Sequence, residues 1–229
     1  MGILYIVGTP IGNLEDITKR ALRILSEVDL ILCEDTRNTK VLLDHYQIKT
    51  PTLSYHQHSR LKKTEEIISF LREGKNIALV SDAGTPGISD PGNQLAESAI
   101  SGSGDNIKIT PIPGPSALTA IASISGFPTD RFLFLGFPPV KKKRNKFFEE
   151  VINSKYPVIF YESPYRILKT LNELNFLYTR YKIQDTKIVV CRELTKKFET
   201  IYRGTAAEII RSLEKEGIRG EFAVIVKKQ

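Results

Sequence analysis

The sequence predicts an α/β protein built from two α/β domains. Three observations lead to this prediction: a length of 229 residues, apolar runs of strand length that alternate with helical periodicity, and a proline-rich segment near the middle of the chain. The alternation is typical of parallel or mostly parallel sheets with helices on their faces. The segment 110–116 contains three prolines and a glycine, so we place the boundary there, with domains at 1–112 and 113–229.

Strands are predicted where apolar residues follow one another, and helices where they recur every three or four positions. In the first domain the strands are 3–7, 28–33, 77–80 and 107–112, and the helices cover 17–25 and 61–73. In the second domain a small-residue helix at 117–125 comes first. It is followed by strands at 158–161, 188–191, 199–202 and 222–226 and by helices near 165–174 and 205–215.

The composition is that of an ordinary globular protein, with 41% hydrophobic and 26% charged residues. No apolar run is long enough to cross a bilayer, and the N-terminus lacks the pattern of a signal peptide, so we expect no membrane association. Cys33 and Cys191 each end a predicted strand. Two cysteines are too few for a disulfide framework, which indicates a reducing cytoplasm. The three histidines are not spaced with the cysteines as a zinc site requires, so no metal is expected.

The chain is basic, with a formal net charge of +7 and an isoelectric point of about 9.3. The run Lys-Lys-Lys-Arg-Asn-Lys at 141–146 concentrates this charge beside the Gly-Phe-Pro-Pro turn at 136–139. A run of this kind is usually a solvated face. An excess of lysine and arginine nevertheless favours a polyanionic partner, of which nucleic acid is the commonest.

The most informative segment is 81–92, which follows the apolar strand 77–80. It holds glycines, prolines and two aspartates with few bulky side chains, and it is longer than a connection needs. Glycine lets a ligand approach the main chain closely, and open α/β sheets bind ligands at the carboxyl ends of their strands. The segment therefore predicts a ligand-binding loop, with a capped turn as the plain alternative.

Other predicted strands also end in polar or glycine-rich segments. The loop 7–13 has two glycines but neither a dinucleotide-binding nor a P-loop fingerprint. The run Glu-Asp-Thr-Arg at 34–37 fits either a helix cap with a salt bridge or a general base beside a cation that positions an anionic substrate. Gly114-Pro115-Ser116 opens a helix and resembles an anion cradle.

Two further strand ends and one segment with two histidines complete this set. Strand ends at 160–165 and 191–196 repeat the pattern of an apolar run that stops at polar residues. His56 and His58 share a side of an extended segment, but no third metal ligand of suitable spacing accompanies them, so a substrate-facing or solvated loop is the expectation. Because so many strands end this way, we expect a ligand site in a cleft between two sheets.

Eight segments carry a resemblance to a known family, in the order in which that family has them. They are 4–17, 34–37, 78–92, 113–117, 125–128, 160–164, 192–196 and 220–226. This pattern resembles the bacterial ribosomal RNA small-subunit methyltransferase I family, whose members 2′-O-methylate a cytidine of 16S ribosomal RNA. The family lies within the tetrapyrrole methylase superfamily, and the resemblance runs through nearly the whole chain.

The resemblance implies two α/β domains of tetrapyrrole-methylase type, S-adenosylmethionine in the cleft between them, and a homodimer. The partner it implies is 16S ribosomal RNA or the small ribosomal subunit. The positions it implies for cofactor binding are Thr9, Pro10, Ile11, Gly12, Ser81, Asp82, Ala83, Gly84, Thr85, Ile88, Ser116, Ala117, Tyr161, Glu162 and Leu194.

For catalysis, a ribose hydroxyl must lose its proton to become a good nucleophile. We expect Glu34 or Asp35 to accept this proton, with Arg37 holding a phosphate and Asp82 as the competing proton acceptor. Tyr165 stands where the family usually has a histidine. Longer family members carry a C-terminal extension beyond the position of Gln229, which shifts the expected RNA contacts towards 141–146 and the dimer.

Two other functions fit parts of the sequence. One is a methylase of a small tetrapyrrole-like substrate, against which the basic surface and the segment 34–37 argue. The other is a non-catalytic RNA-binding assembly factor, against which the intact glycine-rich loop argues.

Overall fold

The computed structural model describes residues 1–55, 61–89, 93–101, 107–183 and 186–228. The chain divides into two compact units, Met1–Ser116 and Ala117–Gln229, which we call the N-terminal and C-terminal units. Within the described ranges, no helix has both the length and the apolar character needed to cross a membrane.

The N-terminal unit contains a five-stranded sheet in which every strand pair is parallel. Its strands are β1 (Ile3–Val7), β2 (Leu30–Cys33), β3 (Thr52–Ser54), β4 (Ile77–Leu79) and β5 (Lys108–Ile112), in the order β3-β2-β4-β1-β5. Its helices are α1 (Lys19–Glu27), α2 (Thr36–His45), α3 (Leu61–Arg72) and α4 (Asn93–Ser101), with a 3₁₀ turn at Leu14–Asp16. The predicted parallel sheet is therefore confirmed in this unit.

Helices cover both faces of this sheet, and the chain leaves neighbouring strands towards opposite faces at the carboxyl end of β4. The buried residues of α1 and α2 share one core cluster, and those of α3 and α4 share another. The chain therefore leaves β1 and β2 towards one face and leaves β4, which lies between them, towards the other. Strand ends that diverge in this manner form the crevice where open α/β sheets bind ligands.

The C-terminal unit contains a second five-stranded sheet of mixed direction. Its strands are β6 (Leu133–Phe134), β7 (Val158–Glu162), β8 (Lys187–Arg192), β9 (Thr200–Gly204) and β10 (Phe222–Lys227), in the order β6-β7-β10-β8-β9. Its helices are α5 (Ala117–Ile124), α6 (Arg144–Asn153), α7 (Ile167–Arg180) and α8 (Ala206–Glu216). Helices α6, α7 and α8 pack on one face of the sheet and α5 packs on the other.

The expectation of a mostly parallel sheet is wrong for the C-terminal unit. Only β6 and β7 are parallel, whereas β10 runs antiparallel to both of its neighbours and β8 runs antiparallel to β9. The apolar run of β10 is buried on both faces of the sheet, from Phe222 to Val226. Burial on both faces gives the same continuous apolar run in either direction, so the sequence pattern reports burial and not strand direction.

Candidate functional site

The loops that follow β1 and β4 are joined main chain to main chain. The N–H of Thr9 donates to the carbonyl of Gly84 at 2.9 Å, and the N–H of Gly84 donates to the carbonyl of Thr9 at 3.1 Å. The buried Thr9 hydroxyl also lies 3.4 Å from the carbonyl oxygens of Ser81 and Gly84. Two residues proposed for ligand binding, Thr9 and Ser81, thus stabilise the loops on which they lie.

The loop after β5 is locked to the loop after β1 by two glycines. A Cβ built on Gly8 would lie 2.8 Å from the Cα of Gly114, and one built on Gly114 would lie 2.6 Å from the carbonyl oxygen of Gly8. The Thr85 hydroxyl in the loop after β4 lies 3.4 Å from the carbonyl oxygen of Pro115. Three strand-end loops therefore form one surface of main chain and small side chains.

Gly84 lies at the centre of this surface. Its φ of +78° is one that side chains with a Cβ rarely adopt, and a Cβ there would lie 3.3 Å from the Cγ2 of Ile11. Gly84 is buried, and Thr9 engages both of its main-chain hydrogen-bonding groups. Its role is therefore to let the loops after β1 and β4 pack closely, and the exposed neighbours Gly12, Asp82 and Ala83 are the parts of these loops that a ligand can reach.

On the other side of β4, Asp82 connects its loop to the start of α2. One carboxylate oxygen of Asp82 accepts from the N–H of Asp35 at 3.1 Å, and the other accepts from the side-chain amide of Asn38 at 3.0 Å. The sequence predicted that the carboxylates at 34–35 and 82 would lie at one sheet edge, and the structure brings them together. It did not anticipate Asn38, because an asparagine inside a helix gives no signal of this role.

Asp35 caps α2 and holds the side chain of Arg37. Its carboxylate accepts from the Arg37 N–H at 2.8 Å and from the Arg37 guanidinium at 3.0 and 2.6 Å. These hydrogen bonds, first the guanidinium and then the main-chain N–H, lower the pKa of Asp35 to about 2. Asp35 is therefore a firmly ionised carboxylate and a weak base, while the Arg37 side chain remains 88% exposed.

Glu34 lies between the end of β2 and this cap. Its side chain is half-buried, and its main-chain carbonyl accepts from the hydroxyl of Ser54 at the end of β3 at 3.2 Å. The residue is therefore fixed by two strand ends, next to the pair formed by Asp35 and Arg37.

In the C-terminal unit, Tyr161 and Glu162 end β7 in very different surroundings. The half-buried Tyr161 ring packs edge-on against Phe134 and Phe137, with centroids 5.0 and 5.6 Å apart. Glu162 is 1% exposed, and its carboxylate accepts from Thr170 at 2.6 Å and pairs with Arg166 at 2.8 Å. Because that carboxylate is held inside the unit, a ligand contact at position 162 would have to use the main chain.

Leu194 lies in the turn after β8, between two residues in the left-handed region. Glu193 has φ of +53° and Thr195 has φ of +66°, which is uncommon for residues other than glycine. The Glu193 carboxylate accepts from the Glu221 N–H at 2.9 Å and from the Lys196 ammonium at 3.0 Å. Although burial acts in the opposite direction, these donors lower the pKa of Glu193. Strained residues held in this way often position functional groups.

The other expected positions are distributed along the same strand ends. Ile88 is exposed, with its N–H donating to the Thr85 carbonyl at 3.3 Å, and Ala117 begins α5. His56, His58 and residues 90–92 of the glycine-rich loop lie outside the described residues. Within the described ranges, no three His, Cys, Asp or Glu side chains are grouped to hold a metal ion.

The chain matches a known protein family over most of its length. The family described as tetrapyrrole (corrin/porphyrin) methylases matches residues 3–210. The chain belongs to the tetrapyrrole methylase family. Methyltransferases of this family use S-adenosylmethionine, so the protein is an S-adenosylmethionine-dependent methyltransferase.

Individual relatives within the tetrapyrrole methylases resemble this chain over nearly its full length. Over 226 residues the chain is 46% identical to the ribosomal RNA small subunit methyltransferase I of Thermotoga maritima, covering 99% of this chain and 98% of the relative. Its identity to the protein of the same name from Synechocystis is 46% over 228 residues, covering 99% of this chain and 79% of that one. Among solved structures, diphthine synthase shares the fold with a TM-score of 0.74 at 12% identity, covering all of this chain and 91% of the other.

The loops after β1, β4 and β5 hold most of the positions at which the sequence resemblance leads us to expect the cofactor of tetrapyrrole methylases. S-adenosylmethionine presents adenine, ribose and an amino-acid portion, which offer many hydrogen-bonding groups to a main-chain surface. Gly8 and Gly114, which could not accept a Cβ, and Gly84, with its positive φ, allow these three loops to pack closely against one another. The absence of a dinucleotide-binding fingerprint is consistent with a family that binds its cofactor through other loops.

Proposed function

We propose that this tetrapyrrole methylase transfers a methyl group to the ribose 2′-oxygen of a cytidine in 16S ribosomal RNA. The observation that carries the proposal is the similarity over 99% of the chain to proteins named ribosomal RNA small subunit methyltransferase I. The basic composition, with a net charge of +7, supports a polyanionic substrate. From the same resemblance we propose a homodimer that acts in the cytoplasm on 16S ribosomal RNA or the small subunit.

The cofactor contacts that we propose follow the strand ends. In the N-terminal unit they are the loop Thr9-Pro10-Ile11-Gly12, the segment 81–85 with Ile88, and Ser116. In the C-terminal unit they are Ala117, Tyr161, the main chain of Glu162, and Leu194. S-adenosylmethionine, when bound, supplies an electrophilic methyl group on a positively charged sulfur. The task of these residues is to orient the reactants and exclude water.

We assign the proton acceptor to Glu34. Asp35 is a weak base because the Arg37 guanidinium and N–H hold its pKa at about 2. Asp82 has both carboxylate oxygens engaged with the start of α2, which suits a positioning role. Glu34 follows β2 directly and is half-buried at the same strand end, and in this proposal its carboxylate accepts the proton of the ribose hydroxyl while the exposed Arg37 guanidinium binds a phosphate of the RNA.

Tritiated methyl transfer to purified small ribosomal subunits, followed by mapping of the modified nucleotide, tests the activity. We expect Glu34→Gln to lower the rate by about 10²- to 10⁴-fold, as for the loss of a general base, with cofactor affinity measured by calorimetry unchanged. Asp35→Asn and Asp82→Asn serve as comparisons and should act mainly through RNA or cofactor affinity. Methylation of a tetrapyrrole but never of ribosomal RNA would show that the proposal is wrong, and full activity of Glu34→Gln would remove its assigned role.

A further inference from the structure

The basic run at 141–146 is divided by the fold into one buried and several exposed side chains. Arg144 is only 4% exposed, whereas Lys141, Lys142, Lys143 and Lys146 all lie in solvent. The Arg144 guanidinium donates to Glu173 and to Thr170, both at 2.7 Å, so it belongs to the interior of the C-terminal unit. The run is therefore a set of exposed lysines fixed to the protein by one internal arginine.

The turn that precedes these lysines is held by two arginines. Arg144 donates to the carbonyl of Pro139 at 3.0 Å, and Arg166 donates to the carbonyl of Pro138 at 2.9 Å. Both guanidiniums also face the buried Glu162 carboxylate, at 3.9 Å for Arg144 and 2.8 Å for Arg166. This network fixes the turn to β7 and α7, so the lysines that follow start from a rigid support.

Two aromatic side chains are carried on the same support and are exposed to solvent. Tyr165, the residue before Arg166, is 95% exposed, and Phe137, the residue before Pro138, is 51% exposed. An aromatic ring that is 95% exposed makes almost no contribution to the core of its own unit. The hydrogen bond from Arg166 to Pro138 joins the two segments on which these rings lie.

We name the resulting feature the aromatic–lysine surface. It consists of Phe137, Lys141, Lys142, Lys143, Lys146 and Tyr165.

We propose that the aromatic–lysine surface binds a single-stranded segment of the ribosomal RNA substrate. Bases stack on Tyr165 and Phe137, and the exposed lysines contact the phosphates. Proteins bind single strands by this combination of aromatic stacking and a basic groove. The inference rests on the proposed function, because it assumes an RNA substrate, and it adds the residues that engage that RNA.

The distribution of charge supports RNA as the occupant. Residues 117–229 contain 21 basic and 12 acidic residues, for a net charge of +9, whereas residues 1–116 contain 12 and 14, for a net charge of −2. The whole positive excess therefore lies in the unit that carries the aromatic–lysine surface. Amphipathic helices that bind at a membrane interface present a broad apolar face, whereas this surface is a fixed turn with separate aromatic and basic side chains.

The test measures affinity for purified small ribosomal subunits by cosedimentation across a range of salt concentrations, together with KM and kcat for methyl transfer. We expect Tyr165→Ala to weaken binding by roughly 5- to 150-fold with little change in the salt dependence, as for the loss of one stacked base. Tyr165→Phe should restore affinity. The triple variant Lys141→Ala/Lys142→Ala/Lys143→Ala should reduce the slope of log K against log salt by about 2, since each single-strand phosphate contact contributes about 0.7.

Matched controls show whether RNA affinity depends on the aromatic–lysine surface or only on the overall charge and exposed aromatic residues of the C-terminal unit. Lys187→Ala/Lys215→Ala/Lys228→Ala removes the same charge from exposed positions of the same unit, and Phe176→Ala removes another exposed aromatic ring. Both controls should bind subunits as the unaltered protein does, and all variants should bind S-adenosylmethionine normally in calorimetry. For the surface variants we expect KM to rise while kcat is nearly unchanged.

The outcomes distinguish this inference from the proposed function. If the unaltered protein methylates small subunits and the surface variants keep its affinity and KM, or if the control triple variant weakens binding equally, the inference is wrong and the proposed function remains. If the unaltered protein methylates no small-subunit preparation, the proposed function fails, and the binding measurement still decides whether this surface engages RNA. Loss of binding to phosphatidylglycerol vesicles with unchanged affinity for subunits would identify a membrane surface and overturn the inference.

Discussion

The two units of this methyltransferase stabilise their strand ends by different means. In the N-terminal unit, loops are joined main chain to main chain, through Thr9 with Gly84 and through the contact of Gly8 with Gly114. In the C-terminal unit, buried or half-buried ion pairs stabilise the strand ends. Glu162 pairs with Arg144 and Arg166, and Glu193 pairs with Lys196. The contacts among the loops after β1, β4 and β5 are uncharged and involve small residues, whereas the ion pairs of the C-terminal unit need long side chains.

The difference accompanies the proposed distribution of ligands, because most of the proposed cofactor positions lie in the N-terminal unit and the exposed lysines of the proposed RNA surface lie in the C-terminal unit. Close packing of loops through glycine needs almost no side-chain volume. The ion pairs of Glu162 with Arg144 and Arg166 hold the turn before the lysines at 141–143 in place, and these exposed lysines can then bind an anion. The net charges of −2 for residues 1–116 and +9 for residues 117–229 follow the same division.

The largest expected effect tests the side-chain network of the C-terminal unit. Glu162→Ala leaves the guanidiniums of Arg144 and Arg166 without their shared buried partner, which should lower the free energy of unfolding by about 3–5 kcal/mol. The matched control is Glu27→Ala, which removes an exposed pair with Arg23 and should change stability by about 0–1 kcal/mol. Urea unfolding followed by circular dichroism measures both, and equal effects would show that the network is not structural.

The next effect tests the main-chain contact of the N-terminal unit. Gly114→Ala forces a Cβ to within 2.6 Å of the Gly8 carbonyl oxygen, and we expect a loss of about 1–3 kcal/mol from overpacking. The matched control is Gly74→Ala. Gly74 has a φ of +94°, and nothing lies within 4 Å of the new Cβ, so the loss of stability there measures only the cost of the backbone conformation, about 1–2 kcal/mol. Cofactor affinity should fall for Gly114→Ala and stay unchanged for Gly74→Ala, and the same affinity for both would contradict the proposed role of this contact.

A smaller effect, the rate of cysteine alkylation, reports the opening of each unit separately. Cys33 and Cys191 are both buried, one in each unit, and burial raises the pKa of Cys33 and raises that of Cys191 to about 12. Neither thiol should react with iodoacetamide at pH 8 until its unit opens. Under low urea, Gly114→Ala should accelerate alkylation of Cys33 alone, and Glu162→Ala that of Cys191 alone, as measured by mass spectrometry. Equal acceleration of both would mean that the units unfold together.

The smallest effect concerns pH. The pKa of Asp35 is lowered to about 2 in the folded protein, compared with about 3.9 in an unfolded chain. Its contribution to stability is therefore present above about pH 4 and is lost as the pH falls towards 2. The difference in stability between the unaltered protein and Asp35→Asn should be constant from pH 5 to 9 and shrink only in acid. An inflection near pH 6 in the rate of methyl transfer that disappears in Asp35→Asn would contradict the weak-base role.

The sequence predicted much of the fold because long apolar runs report burial directly. The strand at 77–80 and the helix at 61–73 are confirmed as β4 (Ile77–Leu79) and α3 (Leu61–Arg72), and the small-residue helix at 117–125 is α5. The sequence did not reveal β3, which has three residues, or the length of α2. The helix cap with a salt bridge, one of the two interpretations of 34–37, is confirmed in Asp35 and Arg37. Strand direction in the C-terminal unit was also hidden, since it depends on which strands become neighbours.

The candidate site was predictable in its location and less so in its roles. The pattern of carboxylates after strands placed Glu34, Asp35 and Asp82 at one sheet edge, and the structure brings their segments together. Which carboxylate caps a helix and which joins two segments is decided by hydrogen bonds a few ångströms long, and no spacing in the sequence encodes these. For the same reason the run 141–146 gave no sign that Arg144 lies inside the protein.

The contact of Gly8 with Gly114 has a genetic consequence. Any substitution at either position adds a Cβ within 3.0 Å of main-chain atoms, so every other amino acid strains the local structure. In a library with every substitution at every position, selected for methyl transfer, nonsynonymous changes at these two codons should be strongly depleted. Two sites far apart in the gene are therefore constrained as a pair, although neither glycine brings a functional group to the chemistry.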